Sequence, residues 1–292
     1  MSEGKLLTVV IPVYNAEKYI EASLNSVLNS SFSNFDIIII ENGSTDSSKK
    51  ILKRYERENK NIRLIYLKSN DLIKAMNIGI KNSNTKYIAI MDSDDICPNE
   101  RFEKQISFLE NNENIVLVGT SIYYFTGAKK KWKIKLPSDN DVILSGIRKY
   151  GQMIFNPTIM FRKECAQKAN YYSAEDYPVP DLGFFLRMSN LGQLSNLSEI
   201  YQGVRLSEKS FTQENFNSIV KKQILIINNH FALGKSTRLF EKKLLLSKFF
   251  YKKVLLGFLS NKYIEFFFYS FLTIIIRPVY AVAYLTKKII SK

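Results

Sequence analysis

The chain has 292 residues, about twice the size of a usual single domain, and 46% of them are hydrophobic, which supplies a sizeable core and argues against intrinsic disorder. Two cysteines, Cys97 and Cys165, with no C-x-x-C pair, exclude a disulfide scaffold, and a reducing compartment fits them. The single histidine, His230, excludes H-E-x-x-H zinc sites and multi-histidine metal centres.

The net charge of +15 is unevenly placed. Residues 216–292 hold 14 Lys/Arg against Glu241 and Glu265, a net of +12, while residues 1–215 carry only +3. The expected organisation is therefore a soluble domain over 1–215 and a basic, aromatic-rich attachment over 216–292, suited to an anionic surface. Residues 1–10 contain Glu3, Lys5 and no apolar h-region, so no secretory signal is expected there.

In chain order, Leu6–Pro12 is a short Val/Ile run that predicts a buried strand. Glu17–Asn29 places Tyr19, Ile20, Leu24, Val27 and Leu28 at helical spacing. Phe35–Ile40 is a second strand, and the Ser/Thr/Asp cluster after it can cap a helix over Ser47–Glu58. Ile62–Leu67, Leu72–Lys81 and Tyr87–Met91 continue as strand, helix and strand; Pro98 opens a helix to Leu109, and Ile115–Val118 is a fifth strand. This alternation predicts βαβ units, a mainly parallel sheet and, from right-handed crossovers, helices on both faces. From about 121 to 215 the pattern is mixed. The basic run Lys129–Lys135, with Trp132 inside it, reads as a solvated hairpin.

The tail is helical in tendency. Its longest apolar run, Phe266–Ile276, has 11 residues, short of the roughly 20 that span a bilayer, and extending it puts Arg277 and Pro278 near the middle. Helices lying in the membrane interface, with lysines at the head groups, are the expectation. A helix packed on the domain and a true span are the alternatives.

Ligands of parallel α/β sheets bind beyond the carboxyl ends of the strands. Pro12, Tyr14, Asn15 and Glu17 follow the first strand; Glu41, Asn42, Gly43, Ser44 and Asp46 follow the second; Asp92, Ser93, Asp94 and Asp95 follow the fourth. Carboxylates crowded after an apolar strand repel one another unless a cation is bound, and oxygen ligands suit Mg²⁺ or Mn²⁺ bridging phosphates. An acidic helix cap before Pro98 is the structural alternative. No G-x-G-x-x-G, P-loop or G-x-S-x-G motif occurs, which leaves a metal-held diphosphate without a glycine cradle.

Thr8-Val9-Val10-Ile11-Pro12-Val13-Tyr14-Asn15, Glu41-Asn42-Gly43-Ser44-Thr45-Asp46 and Met91-Asp92-Ser93-Asp94-Asp95 together resemble the family 2 inverting glycosyltransferases of GT-A fold, over about Leu6 to Thr212. Lys74–Gly79, Arg101–Gln105 and Asn156–Arg162 are similar to a subgroup that builds bacterial capsule, exopolysaccharide and lipopolysaccharide. The resemblance implies that Pro12, Tyr14, Asn15 and Glu17 line a nucleotide pocket, with Glu41 and Asn42 beside the base. Asn77 would hold the nucleotide or shape its loop, Asp92 would touch ribose or sugar, and Asp94, with Asp92, would hold the metal. The implied donor is a nucleoside-diphosphate sugar, UDP-hexose or UDP-N-acetylhexosamine. The implied acceptor is a lipid-linked saccharide at the cytoplasmic face of the bacterial membrane, with no nucleic-acid partner.

Glu41-Asn42 stands in place of a commoner Asp-Asp, Met76 replaces Arg or Leu, and Leu206-Ser207 stands where a histidine often follows Arg205. The family's base lies in a Glu-Asp pair six residues before a helical Arg. Counting back from Arg187 gives Asp181, preceded by Pro180; the Glu175-Asp176 dipeptide matches the letters but lies 11 residues away. Asp181 is favoured on distance, with Asp176 the alternative. Two other classes compete. A sugar-phosphate nucleotidyltransferase would want a Gly/Arg-rich loop where this chain has Tyr14-Asn15-Ala16-Glu17, and a non-catalytic basic protein binding membrane or nucleic acid has no need of the acidic strand ends.

Overall fold

A computed structural model describes residues 4–127, 129–206 and 215–232. The expected membrane-interface helices beyond residue 232 lie outside the described residues. By compactness the chain divides into two units, Met1–Leu144 with Gln152–Phe216, and Ser145–Gly151 with Asn217–Lys292.

The first unit is built on strands β1 (Leu7–Val13), β2 (Phe35–Glu41), β3 (Ile62–Tyr66), β4 (Tyr87–Ile90), β5 (Ile115–Thr126), β6 (Lys129–Ile134), β7 (Met160–Arg162) and β8 (Gln193–Arg205). They form one sheet in the order β3-β2-β1-β4-β7-β5-β6, with β8 also paired to β5. β1 is parallel to β2 and β4, and β2 to β3. β7 is antiparallel to both β4 and β5, so β5, and β8 parallel to it, run in the same direction as β4. Carboxyl ends of six strands therefore gather at one edge of the sheet.

Every residue of β1, β2 and β4 is buried, as a strand covered on both faces must be. On one face Val9, Ile11, Ile37 and Ile39 pack with Ile20 and Leu24 of α1 (Ile20–Leu28), Leu52 of α2 (Ser48–Glu58) and Phe102 of α4 (Arg101–Asn111). On the other, Ile38 and Ile40 pack with Ala75 of α3 (Leu72–Lys81). The doubly covered, mainly parallel sheet expected from the alternation is what forms.

Boundaries differ where local chemistry overrides the pattern. Helical bonding of α4 begins at Arg101, not Pro98, because Arg101 N–H closes a turn on the Pro98 carbonyl (3.1 Å). β5 continues to Thr126, eight residues past Val118. Gly119, Thr120 and Ser121 interrupt the apolar run but stay buried. At Gly119 the absence of a side chain lets Asn196 and Thr158 approach the strand. The less readable stretch then yields α5 (Asn140–Tyr150), α6 (Lys163–Lys168) and α7 (Pro180–Ser189). Within the second unit, α8 (Phe216–His230) buries Ile219, Val220 and Ile227.

Gly79 sits on the face of α3 turned to β1, and a β-carbon there would run into the Val10 side chain. Val10 is β-branched and fully buried, so it cannot swing away. Gly79→Ala is expected to lower stability by about 1–3 kcal/mol in urea unfolding, despite alanine's better helix propensity. An unchanged midpoint would mean that α3 can shift off the sheet.

Candidate active site

The loops after β1 and β2 are laced together by the side chains that the sequence placed there. Asn15 adopts a left-handed conformation (φ 48°) and accepts from Thr45 N–H (2.8 Å) through its side-chain oxygen. Its own N–H donates to Ser44 Oγ (3.1 Å). Glu17 Oε2 accepts from Ser47 N–H (2.9 Å), and Asp46 returns the bond by accepting from Glu17 N–H (3.0 Å). Ala16 N–H donates to Ser48 Oγ (2.8 Å). Burial works to raise the Asp46 pKa, but the Ser48 hydroxyl and the backbone N–H groups of Glu17 and Ser48 together draw it down. Tyr14, by contrast, is exposed at the mouth, and Pro12 is buried in the strand beneath.

Glu41 and Asn42 are both buried. Glu41 Oε1 accepts from Ser44 N–H (2.6 Å). Asn42 donates to Asn70 Oδ1 (2.9 Å) and accepts from Asp71 N–H (3.0 Å), so it ties the loop before α3 to the end of β2. Asn77 is fully engaged: it donates to the Tyr172 carbonyl (2.8 Å) and accepts from Tyr172 N–H (3.0 Å). It thereby ties α3 to the segment carrying Tyr172.

The acidic loop after β4 separates into two kinds of carboxylate. Asp95 is buried and committed: its oxygens accept from Arg205 N–H (2.8 Å) and Gln202 Nε2 (3.2 Å). Asp92 and Asp94 are half-buried, and neither carboxylate accepts a hydrogen bond from another described residue. Burial pushes Asp92 up to about 7, and the neighbouring Asp94 and Asp181 push the same way. Burial also raises Asp94, against a partly compensating Arg205. Among the described residues no group of three His, Cys, Asp or Glu side chains could by itself cage a metal.

Under this loop lies Arg101, fully buried. It donates to the Ile90 carbonyl (3.0 Å), to Gln202 Oε1 (2.7 Å) and, from Nε, to Gln105 Oε1 (3.1 Å). Gln105 in turn donates to the carbonyls of Val118 (3.0 Å) and Thr158 (2.8 Å). At the rim, Arg205 Nε donates to the Asp94 carbonyl (2.7 Å), and its guanidinium lies over the rings of Tyr19 (4.3 Å) and Phe125 (4.5 Å).

Asp181 stands in the first turn of α7, one residue after Pro180. Burial raises its pKa, the backbone N–H groups of Leu182 and Asp181 oppose this, and Asp176 adds to the rise. Its charge also reaches Asp92 and Tyr172, whose phenol burial lifts well above its usual value. The Tyr172 ring stacks on Phe184 of α7 (4.4 Å), and its hydroxyl bonds Asn156 Oδ1 (2.8 Å). Asp176 is turned elsewhere. Its Oδ2 pairs with Arg187 Nη1 at 2.6 Å, and it lies so close over Gly183 that a β-carbon there would collide with it.

The fold thus sets Asp92 within electrostatic reach of both Asp94 and Asp181 and leaves Tyr14 open beside the β1 end. It commits Asn15, Glu17, Asn42 and Asn77 to holding loops. Arg101, Gln202 and Tyr172 were not singled out from sequence as site residues. A signal existed for Arg101, a cation at a helix start just after an acidic strand end; Tyr172 and Gln202 join only through tertiary contacts.

Residues 8–169 match the model of Glycosyl transferase family 2. The O-antigen biosynthesis glycosyltransferase WbnJ of Escherichia coli is 30% identical over 214 residues, covering 70% of this chain and 81% of the relative. Among solved structures, S. aureus TarS 1-349 in complex with UDP-GlcNAc superposes with a TM-score of 0.64 at 19% identity, covering 95% of this chain and 83% of that one. The mannosyltransferase PcManGT from Pyrobaculum calidifontis, in complex with GDP-Man and Mn2+, superposes with 0.63 at 13% identity, covering 98% and 87%. These two share the fold, and the family match, spanning more than half of the chain, agrees with the acidic strand ends: the chain belongs to glycosyltransferase family 2.

Proposed function

We propose that this glycosyltransferase is metal-dependent and inverting, moving a hexose or N-acetylhexosamine from a UDP-sugar to a hydroxyl of a lipid-linked saccharide in bacterial surface-polysaccharide synthesis. The observation that carries the reading is that Asp92 and Asp94, with no hydrogen-bond donor of a described residue on either carboxylate, stand at the end of β4 within electrostatic reach of Asp181. Two open carboxylates fit Mg²⁺ or Mn²⁺, which take one or two protein carboxylates and complete their shell with substrate phosphates and water. Asp94, with Asp92, would hold the ion. When bound it would offset charge on the departing nucleoside diphosphate.

The chain's own residues supply the rest. Asp181, made more basic by burial, takes the proton from the acceptor hydroxyl. The hydroxyl oxygen bonds to the anomeric carbon as the bond to the diphosphate oxygen breaks on the opposite side, which inverts the centre. Tyr14 lies open to stack on the nucleobase. Glu41 has one oxygen on Ser44 N–H and a second with no described partner. One free acceptor suits the single N3–H of uracil better than the paired N–H groups of guanine. The acceptor class is supported by the O-antigen relative and by the net +12 of residues 216–292, suited to an anionic membrane face. Among the described residues no helix is long and apolar enough to cross a membrane. Attachment at the inner face through that basic segment is the reading its charge supports.

A chelator in excess is expected to abolish transfer of radiolabelled sugar, and Mn²⁺ or Mg²⁺ to restore it; full activity in the chelator would remove the metal. Asp181→Asn is expected to lower turnover roughly 10²–10⁴-fold while UDP binding, followed by calorimetry, stays intact. Wild-type kcat/KM should fall on the acid side, since the base must be ionised. Because the Asp181 pKa is raised, that limb lies above the ordinary aspartate value of about 4. Asp176→Asn breaks the pair with Arg187 and is expected to cost about 1–3 kcal/mol of stability with a smaller effect on turnover. Were Asp176→Asn the variant with the greater catalytic loss, the base would be Asp176.

A further inference from the structure

Two successive residues between α6 and α7, Asn170 and Tyr171, take left-handed backbone conformations (φ 55° and 58°). The β-carbon of a tyrosine disfavours that region, so the turn persists because its surroundings fix it. Arg187, in the last turn of α7, donates to the carbonyls of Ala169 (3.0 Å) and Tyr171 (2.9 Å). Tyr171 N–H donates to the Ala166 carbonyl (2.9 Å). Asn77 of α3 holds both backbone groups of Tyr172. These bonds converge on the Tyr172 ring, which is buried and stacks on Phe184 with 4.4 Å between centres and 25° between planes. Phe184 is itself fully buried, and Phe161 of β7 meets it edge-on at 5.3 Å. Phe184 stands three residues after Asp181, one turn along the same face of α7. The charge of Asp181 is felt at the Tyr172 phenol, as is that of Asp92.

We propose that Tyr172 is a positioning residue for the base: its ring, clamped from α3 by Asn77 and from α7 by Arg187, sets through Phe184 the place at which Asp181 meets the acceptor hydroxyl. This rests on Asp181 being the base, the reading of the preceding section. A base displaced by about 1 Å loses much of its worth, and the first turn of α7 has no side-chain cap to hold it. The clamped turn supplies that hold and refers it to α3, which packs on β1 and β2. A buried aromatic pair also contributes ordinary core packing, and the test separates the two.

The full chain is assayed in Mn²⁺ with whichever of UDP-glucose and UDP-N-acetylglucosamine the wild type hydrolyses faster, water taking the place of the acceptor hydroxyl. Tyr172→Leu is expected to lower kcat roughly 10²-fold with donor KM unchanged, as a misplaced base does. Tyr172→Phe keeps the ring and gives up the hydroxyl bond to Asn156; it should stay near wild type. Leu109→Ala, a loss of buried packing in the last turn of α4, should leave kcat unchanged. In an Asp181→Asn background Tyr172→Leu should cost nothing further, because a residue that acts through the base has nothing left to position. Phe184→Leu, which removes the other ring of the stack, is expected to repeat the pattern and replaces Tyr172→Leu should that variant not fold. Full turnover in Asp181→Asn refutes the base itself. A large loss in Asp181→Asn with an independent, additive loss from Tyr172→Leu overturns the positioning role alone. So does a Tyr172→Phe as impaired as Tyr172→Leu, which gives the role to the hydroxyl, or a raised donor KM at unchanged kcat, which makes the turn a donor contact.

Discussion

The acidic rim of the sheet depends on one buried cation. Arg101 has no exposure to solvent, and burial drags its pKa down, a cost of several kcal/mol for an unpaired ion. Among the described residues no carboxylate pairs with it directly. Instead it is held by carbonyls, two glutamines and the through-space charges of Asp95 and Asp92. Its bonds to the Ile90 carbonyl and to Gln202, which itself reaches Asp95, fix both ends of the acidic loop from below. Asp92 and Asp94 can then stand half-exposed above a positive floor. Without that floor, like charges crowded at a strand end would drive the loop apart.

A second consequence is a division of labour among polar groups. Asp95 faces inward and completes the floor, so the loop presents two open carboxylates and not three. The side chains of Asn15, Glu17, Asp46 and Ser48 accept from the N–H groups of Thr45, Ser47, Glu17 and Ala16 in turn, which ties the β1 and β2 ends into a cradle without glycine-rich turns. Preorganised loops of this kind lower the ordering cost of binding. The groups left over, Tyr14, one oxygen of Glu41, Asp92, Asp94 and Asp181, all belong to strand ends or a helix start at one edge.

The sheet was legible because its central strands are buried on both faces and read as unbroken Val/Ile runs, while α1, α2 and α3 carry a clear apolar stripe. β5 was only half legible, because Gly119, Thr120 and Ser121 look like a turn until Asn196 and Thr158 are seen packed against them. β7 has three residues, too few for any period to register. The acidic strand ends were legible as a candidate site for a reason independent of any single residue: carboxylates crowded at the carboxyl end of a buried strand repel one another unless something offsets their charge. The partition of those residues between ligand and brace was not, since a hydrogen bond to a loop N–H leaves no trace in sequence.

Asp176 and Asp181 illustrate that limit. Both are acidic, both precede α7, and a sequence offers only letters and distances to separate them. Geometry adds what each carboxylate faces. Asp176 lies across the bare backbone of Gly183 and is neutralised by Arg187, whose remaining donors hold the carbonyls of Ala169 and Tyr171. Among the described residues no cation stands beside Asp181, which meets the helix N-terminus and lies within electrostatic reach of Asp92. The distance count singles out the same residue because helix geometry, once Arg187 anchors one end of α7, fixes what stands at the other. The dipeptide match at Glu175-Asp176 then has a structural meaning of its own: Asp176 supplies the counter-ion of Arg187, which also holds the Tyr171 carbonyl beside Tyr172.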